Sequence, residues 1–177
     1  MVNLAKSAVE TYIREGKIIS LPQHLPQEFM NKKAGVFVSI SSKNTKYNIQ
    51  NTEYELRGCI GTYLPTRKNI AEEIIHNAIA VATEDYRFGP IRKEELPHLA
   101  YTVYILGEPE PVKDKSELNP KKFGIIVKTA TKCGLLLPDL DGVDTTEKQV
   151  SIACQKGGFN TEKEKIVIYR FITEKYE

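Results

Sequence analysis

Leu56-Arg57-Gly58-Cys59-Ile60-Gly61 closes a strand, and the strongest helix of the chain begins a few residues later at Lys68. The strand reads as Tyr54 to Ile60, with Cys59 at its end between two glycines. Residues two apart in a strand share a face, so Arg57 and Cys59 are expected on one surface. The helix, Lys68 to Thr83, repeats Ile70, Ile74, Ile75, Ala78, Ile79 and Ala82 at helical spacing and so has one apolar face. Glu72 and Glu73 sit in its first turn, where the helix dipole favours acids.

The pattern extends in both directions. Leu4, Ala5, Ala8, Val9, Tyr12 and Ile13 predict a helix ending near Gly16. Pro22 and Pro26 mark an irregular connection, Gly35 to Ile40 reads as a strand, and Ser41 to Asn48 as a turn or protruding loop. Asp85 to Pro90 is a turn leaving the long helix, and Arg92 to Leu96 a short helical turn. Tyr101 to Leu106 is a strand, and each proline in Glu108-Pro109-Glu110-Pro111 extends the residue before it. Gly124 to Thr129 and Cys133 to Leu137 form a hairpin. Thr145 or Thr146 caps a helix running to about Lys156, which Gly157-Gly158 stops. Lys165 to Ile172 is the final strand, before a charged tail. Interleaved helices and strands with short connections predict an α+β fold, mainly antiparallel sheet with flanking helices. A length of 177 residues fits one domain, 1–177, of one or two lobes.

Composition narrows the function. Hydrophobic residues make up 41%, too many for a disordered chain. The net charge of +2 comes from 25 basic and 23 acidic residues, a mixed surface that argues against a nucleic-acid binder. No run approaches the ~20 apolar residues of a membrane span, and the N-terminus does not read as a signal peptide. Three cysteines without a Cys-x-x-Cys pair point to a reducing cytoplasm and away from a disulfide framework. Scattered cysteines and histidines argue against a zinc site. The hexapeptide lacks the Gly-x-Gly-x-x-Gly and Walker patterns and so is not a nucleotide motif, and no metal or cofactor is expected.

The hexapeptide resembles the signature of the AMMECR domain family, whose bacterial and archaeal members are called AmmeMemoRadiSam system protein A. Ala34-Gly35-Val36-Phe37-Val38-Ser39-Ile40 is similar to the family's preceding strand. Asp85-Tyr86-Arg87-Phe88-Gly89-Pro90 resembles its Asp-Pro-Arg-Phe-x-Pro segment, with Tyr86 where many relatives carry proline. Glu94-Glu95-Leu96-Pro97 and Gly134-Leu135-Leu136-Leu137-Pro138 also match. The resemblance implies a compact α+β domain, a smaller lobe beside a larger one, with the hexapeptide near the groove between them. It implies no established activity. Some relatives are fused to, or encoded beside, a Memo-like protein and a radical S-adenosylmethionine protein, which suggests these as partners.

Cys59 has two readings. It is a nucleophile or ligand-contacting thiol, with Arg57 or the helix start near Lys68 favouring its thiolate, or it is a small buried hydrophobe. His24, His76 and His98 read as surface residues. Asp85 and Arg87 are either an acid/base or anion-binding pair, or a turn-closing ion pair. Gly58 and Gly61 are turn residues, or they expose amides to an anion. Cys133 and Cys154 read as core. Glu94 and Glu95 point apart and do not form one site. Two functions follow. One is an enzyme in which Cys59 attacks and Arg57 and Arg87 fix an anionic small molecule. The other is a non-catalytic module that binds a Memo-like or radical S-adenosylmethionine protein, or a metabolite.

Overall fold

The computed structural model describes residues 1–43, 54–159 and 164–177. Two compact units divide the chain. The larger comprises Met1–Ile105 and Lys175–Glu177, and the smaller Leu106–Glu174.

The larger unit is built on the amphipathic helices read above. Helix α1 (Val2–Glu15) buries Leu4, Ala5, Ala8 and Val9 and ends at Gly16. A one-turn helix, α2 (Gln27–Asn31), lies in the proline-marked connection and buries Phe29. Helix α3 (Ile70–Thr83) is capped by Asn69, whose side chain accepts the Glu72 amide N–H. Strands β1 (Val36–Lys43), β2 (Tyr54–Thr62) and β3 (Leu99–Leu106) pair antiparallel with β1 in the middle. A 3₁₀ helix, Lys93–His98, leads into β3. On β1, Val36, Val38 and Ile40 are fully buried against the helices, while Phe37 and Ser39 are only half-buried. This is the period-two signature of a sheet with one core face.

Strand β8 (Thr173–Tyr176) is the element that charge obscured, since the tail reads as solvated. It adds to the free edge of β3, and the Tyr176 ring packs edge-on against Phe29 at 6.2 Å. An edge strand tolerates charge on its open side, which is why Glu174 and Lys175 do not disqualify it. The expected loop also begins later than read, because Ser41–Lys43 belong to β1; its remaining residues, 44–48, lie outside the described residues.

The smaller unit has its own core and a second antiparallel sheet. Its strands are β4 (Glu110–Pro111), β5 (Gly124–Lys128), β6 (Cys133–Leu136) and β7 (Val167–Phe171), in the order β4-β7-β5-β6. Helix α4 (Thr146–Gly157), capped by the Thr145 hydroxyl, places Val150, Ala153 and Cys154 in the core with Ile125, Val127 and Leu136. Cys133 departs from its expected core position and is exposed. It opens β6 opposite Lys128, and alternation turns Gly134 and Leu136 inward instead. The fold class is α+β, with two antiparallel sheets and flanking helices.

Candidate functional site

The Leu56–Gly61 segment lies inside β2, not in a turn, because the strand continues to Thr62. Its register against β1 slips by one residue: Ile40 opposes Gly58, whereas Ser41 opposes Leu56. Arg57 is the extra residue of a β-bulge, and a bulge re-aims its side chain. Strand alternation therefore does not bring Arg57 and Cys59 onto a shared face as expected. Arg57 donates through Nε and Nη2 to both oxygens of Glu95, at 2.7 and 3.2 Å, and to the carbonyls of Gly89 and Pro90. All three guanidinium nitrogens are committed. Burial pushes the Glu95 carboxyl up, but the Arg57 hydrogen bond and the Arg92 amide outweigh it and hold the group below its usual range.

Cys59 lies opposite Ser39 on the face of the sheet turned away from the core, and is half-buried. Its backbone faces the open edge of β2. The Cys59 amide N–H donates to Asp85 Oδ2 at 2.9 Å, and Arg87 Nη2 donates to the Cys59 carbonyl at 3.1 Å. Asp85 and Arg87 thus take the two edge groups that another strand would pair with. They are also bonded to each other, Nη2 to Oδ2 at 2.7 Å and Nε to Oδ1 at 2.9 Å. Asp85 is 3% exposed, and its carboxyl is held at about 2, first by the Arg87 hydrogen bonds, against burial, and then by the Cys59 amide. Arg87 is raised in turn, first by the Asp85 hydrogen bond, with burial opposing, and further by the charges of Asp85 and of an ionised Cys59.

The glycines serve close approach. A Cβ on Gly58 would stand 2.8 Å from a Val81 methyl, so its absence lets the end of α3 press on β2 and bring Asp85 within reach. A Cβ on Gly61 would meet the Phe37 ring and the Val36 carbonyl, both at 2.3 Å. What projects from the site is the turn after α3, where Tyr86 is 92% and Phe88 40% exposed.

The AMMECR1 family model matches residues 2–176. The chain belongs to the AMMECR1 family. It is 46% identical to a Thermotoga maritima protein over 99% of this chain and 96% of that one. It is 40% identical to a Clostridium acetobutylicum protein over 99% of this chain but only 35% of that longer protein. The crystal structure of an uncharacterised Pyrococcus horikoshii protein superposes with a TM-score of 0.86 at 32% identity, covering 98% of this chain and 87% of that one. The AMMECR1 fold is thus seen directly in a relative.

Within this AMMECR1 chain, Arg57, Gly58, Cys59, Asp85 and Arg87 come together around one strand and one turn, and Gly61 packs further along the strand. His24 and His98 are exposed, and His76 is half-buried on α3. Burial holds the His76 imidazole below its usual value, and the Arg67 charge adds to this. Two participants escaped the sequence reading. Glu95, dismissed as half of a non-site, is the partner of Arg57. Glu73, which the sequence marks only as a first-turn acid suited to the helix dipole, is 1% exposed. It accepts from the Thr62 and Thr66 hydroxyls and the Thr66 and Arg67 amides, all at 2.7–2.8 Å. Burial raises its pKa, but these four bonds together lower it below the usual value. The neighbouring Asn77 side chain donates to the Val36 carbonyl at 2.9 Å. Among the described residues no group of three or more His, Cys, Asp or Glu side chains could hold a metal ion, and no helix is long and apolar enough to cross a membrane.

Proposed function

We propose that this chain is a non-catalytic binding module that recognises a partner protein through the Asp85–Pro90 turn and the strand beneath it. One observation carries the reading: Arg57 and Glu95 spend their polar atoms on each other and on backbone groups, and Asp85 on Arg87 and the Cys59 amide, while Tyr86 and Phe88 are exposed beside them. A clamp that fixes an anionic small molecule between Arg57 and Arg87 needs free donors on both, and all three Arg57 nitrogens are engaged; a rigid presentation platform needs none from Arg57. Exposed aromatics next to an arginine are the residue types that dominate protein interfaces. Because Asp85 and Arg87 occupy the edge of β2 at Cys59, recognition there proceeds through side chains and not through strand addition. The partners that the resemblance implies are Memo-like and radical S-adenosylmethionine proteins. The Clostridium relative, nearly two-thirds of which lies outside the match, fits a module that works beside other sequence.

The test is capture of a purified Memo-like protein from the same organism. Tyr86→Ala with Phe88→Ala is expected to abolish binding, and Cys59→Ala to leave it intact. No saturable binding by the wild-type chain to that protein or to the radical S-adenosylmethionine protein sinks the reading. A second reading, a cysteine-dependent enzyme acting on an anionic small molecule, draws on Arg87, whose charge and that of an ionised Cys59 favour each other. Alkylation of Cys59 across pH separates the two. Fast reaction far below the free-thiol range of ~8.5 favours the enzyme.

A further inference from the structure

Arg87 differs from the other arginine of the site in having a donor to spare. Its Nε and Nη2 are taken by Asp85 and the Cys59 carbonyl, and among the described residues no hydrogen bond is made by Nη1. The side chain is 45% exposed. The guanidinium carbon lies 5.3 Å from the centroid of the Phe88 ring, and Tyr86 stands free on its other flank in sequence. A fixed, charged nitrogen beside the Phe88 ring, with the exposed Tyr86 adjacent in the chain, matches a side-chain carboxylate flanked by an apolar residue. The three bonds already made by the guanidinium hold it in place, so little rotamer freedom remains to be lost on binding.

Resting on the binding-module reading, we infer that Arg87 Nη1, Phe88 and Tyr86 form a subsite for an acidic peptide segment of the partner. A partner Asp or Glu carboxylate accepts from Nη1, and its neighbouring aliphatic or aromatic residue covers the Phe88 and Tyr86 rings. The bond is charge-assisted, which distinguishes a carboxylate from an amide of the same shape. The Asp85–Arg87 pair also blocks the strand edge at Cys59, so the peptide is read by its side chains.

The experiment titrates the full chain, isotope-labelled for NMR, with the capped peptide Glu-Leu-Glu-Phe-Glu and with its counterpart in which every Glu is Gln. The acidic peptide is expected to shift the Arg87 side-chain N–H and the Tyr86–Gly89 amides saturably. The Gln peptide should bind at least about tenfold more weakly. Phe88→Ala, an exposed change that leaves the ion pairs in place, should weaken the acidic peptide several-fold. Equal binding of the two peptides, shifts confined to other surfaces, or no saturable shift overturns the subsite. Because the Gln control alters only the peptide, a folding defect cannot imitate the result. If the partner protein is captured through Tyr86 and Phe88 but the peptides bind alike, the carboxylate subsite falls and the module reading stands. If no partner is captured, the module reading itself falls.

Discussion

The two ends of α3 each fasten β2 with a buried carboxylate, yet the chemistry differs. At the start of the helix Glu73 is satisfied by neutral donors alone, two hydroxyls and two amides. Just past its end Asp85 needs a cation, Arg87, in addition to the Cys59 amide. The helix macrodipole accounts for the asymmetry. Its positive end favours a buried anion, and its negative end opposes one. A carboxylate at the C-terminal end therefore recruits a counter-ion from the adjoining turn. That counter-ion reaches the surface, and so the same strand is purely anchored at one end and displayed at the other.

Several variants break or sharpen this contrast. The largest effect is expected from Glu73→Ala, which removes a buried carboxylate and the four hydrogen bonds that tie Thr62, Thr66 and Arg67 to α3, and should cost about 3 kcal/mol in urea unfolding. A loss under about 1 kcal/mol would mean that the donors find other partners. Gly61→Ala comes next. Its methyl would overlap the Phe37 ring and the Val36 carbonyl, and about 2–3 kcal/mol should be lost.

Asp85→Asn follows, at about 2 kcal/mol at neutral pH, from a carboxyl lowered from 3.8 to about 2. The sign is that of a depressed acid: its stabilisation is full above 3.8 and disappears as pH falls through about 2. The wild-type advantage over the Asn variant should shrink across that window, and a constant difference would deny the ion pair its role. Glu73 is also held below its usual value, so it adds to acid sensitivity in both proteins. Salt separates the two ends further, because half-exposed Arg87 is screened and the neutral donors around Glu73 are not. The smallest stability change belongs to Tyr86→Ala, within about 0.5 kcal/mol at a 92% exposed position. Partner affinity should nevertheless fall at least about tenfold. A stability loss as large as that of Asp85→Asn would make Tyr86 part of the anchor instead of the display.

The sequence exposed some of this and hid the rest for identifiable reasons. Glu73 read only as a first-turn acid because helical periodicity assumes one buried face, whereas α3 packs against α1 as well as against β1 and β2. Glu95 looked like one of two divergent carboxylates because its partner is 38 residues away in the chain. The bulge at Arg57 left no mark in composition, since it is a property of the pairing with β1 and not of β2 itself. Cys133 was misjudged because its apolar neighbours belong to a strand whose alternation turns it outward.

What the sequence determined by itself is local. Apolar periodicity set α1 and α3, β-branched runs set β1 and β3, threonine and glycine set the ends of α4, and the Leu56–Gly61 hexapeptide pointed to the family. Only the tertiary structure decided that Asp85 and Arg87 close the edge of β2, that glycines at 58 and 61 make room for a helix side chain and a ring, and that the charged tail is a strand. Each of those depends on groups distant in the chain meeting at hydrogen-bond or van der Waals range. Local propensity carries no information about such meetings, because hydrogen bonds and steric contacts act only at contact distance.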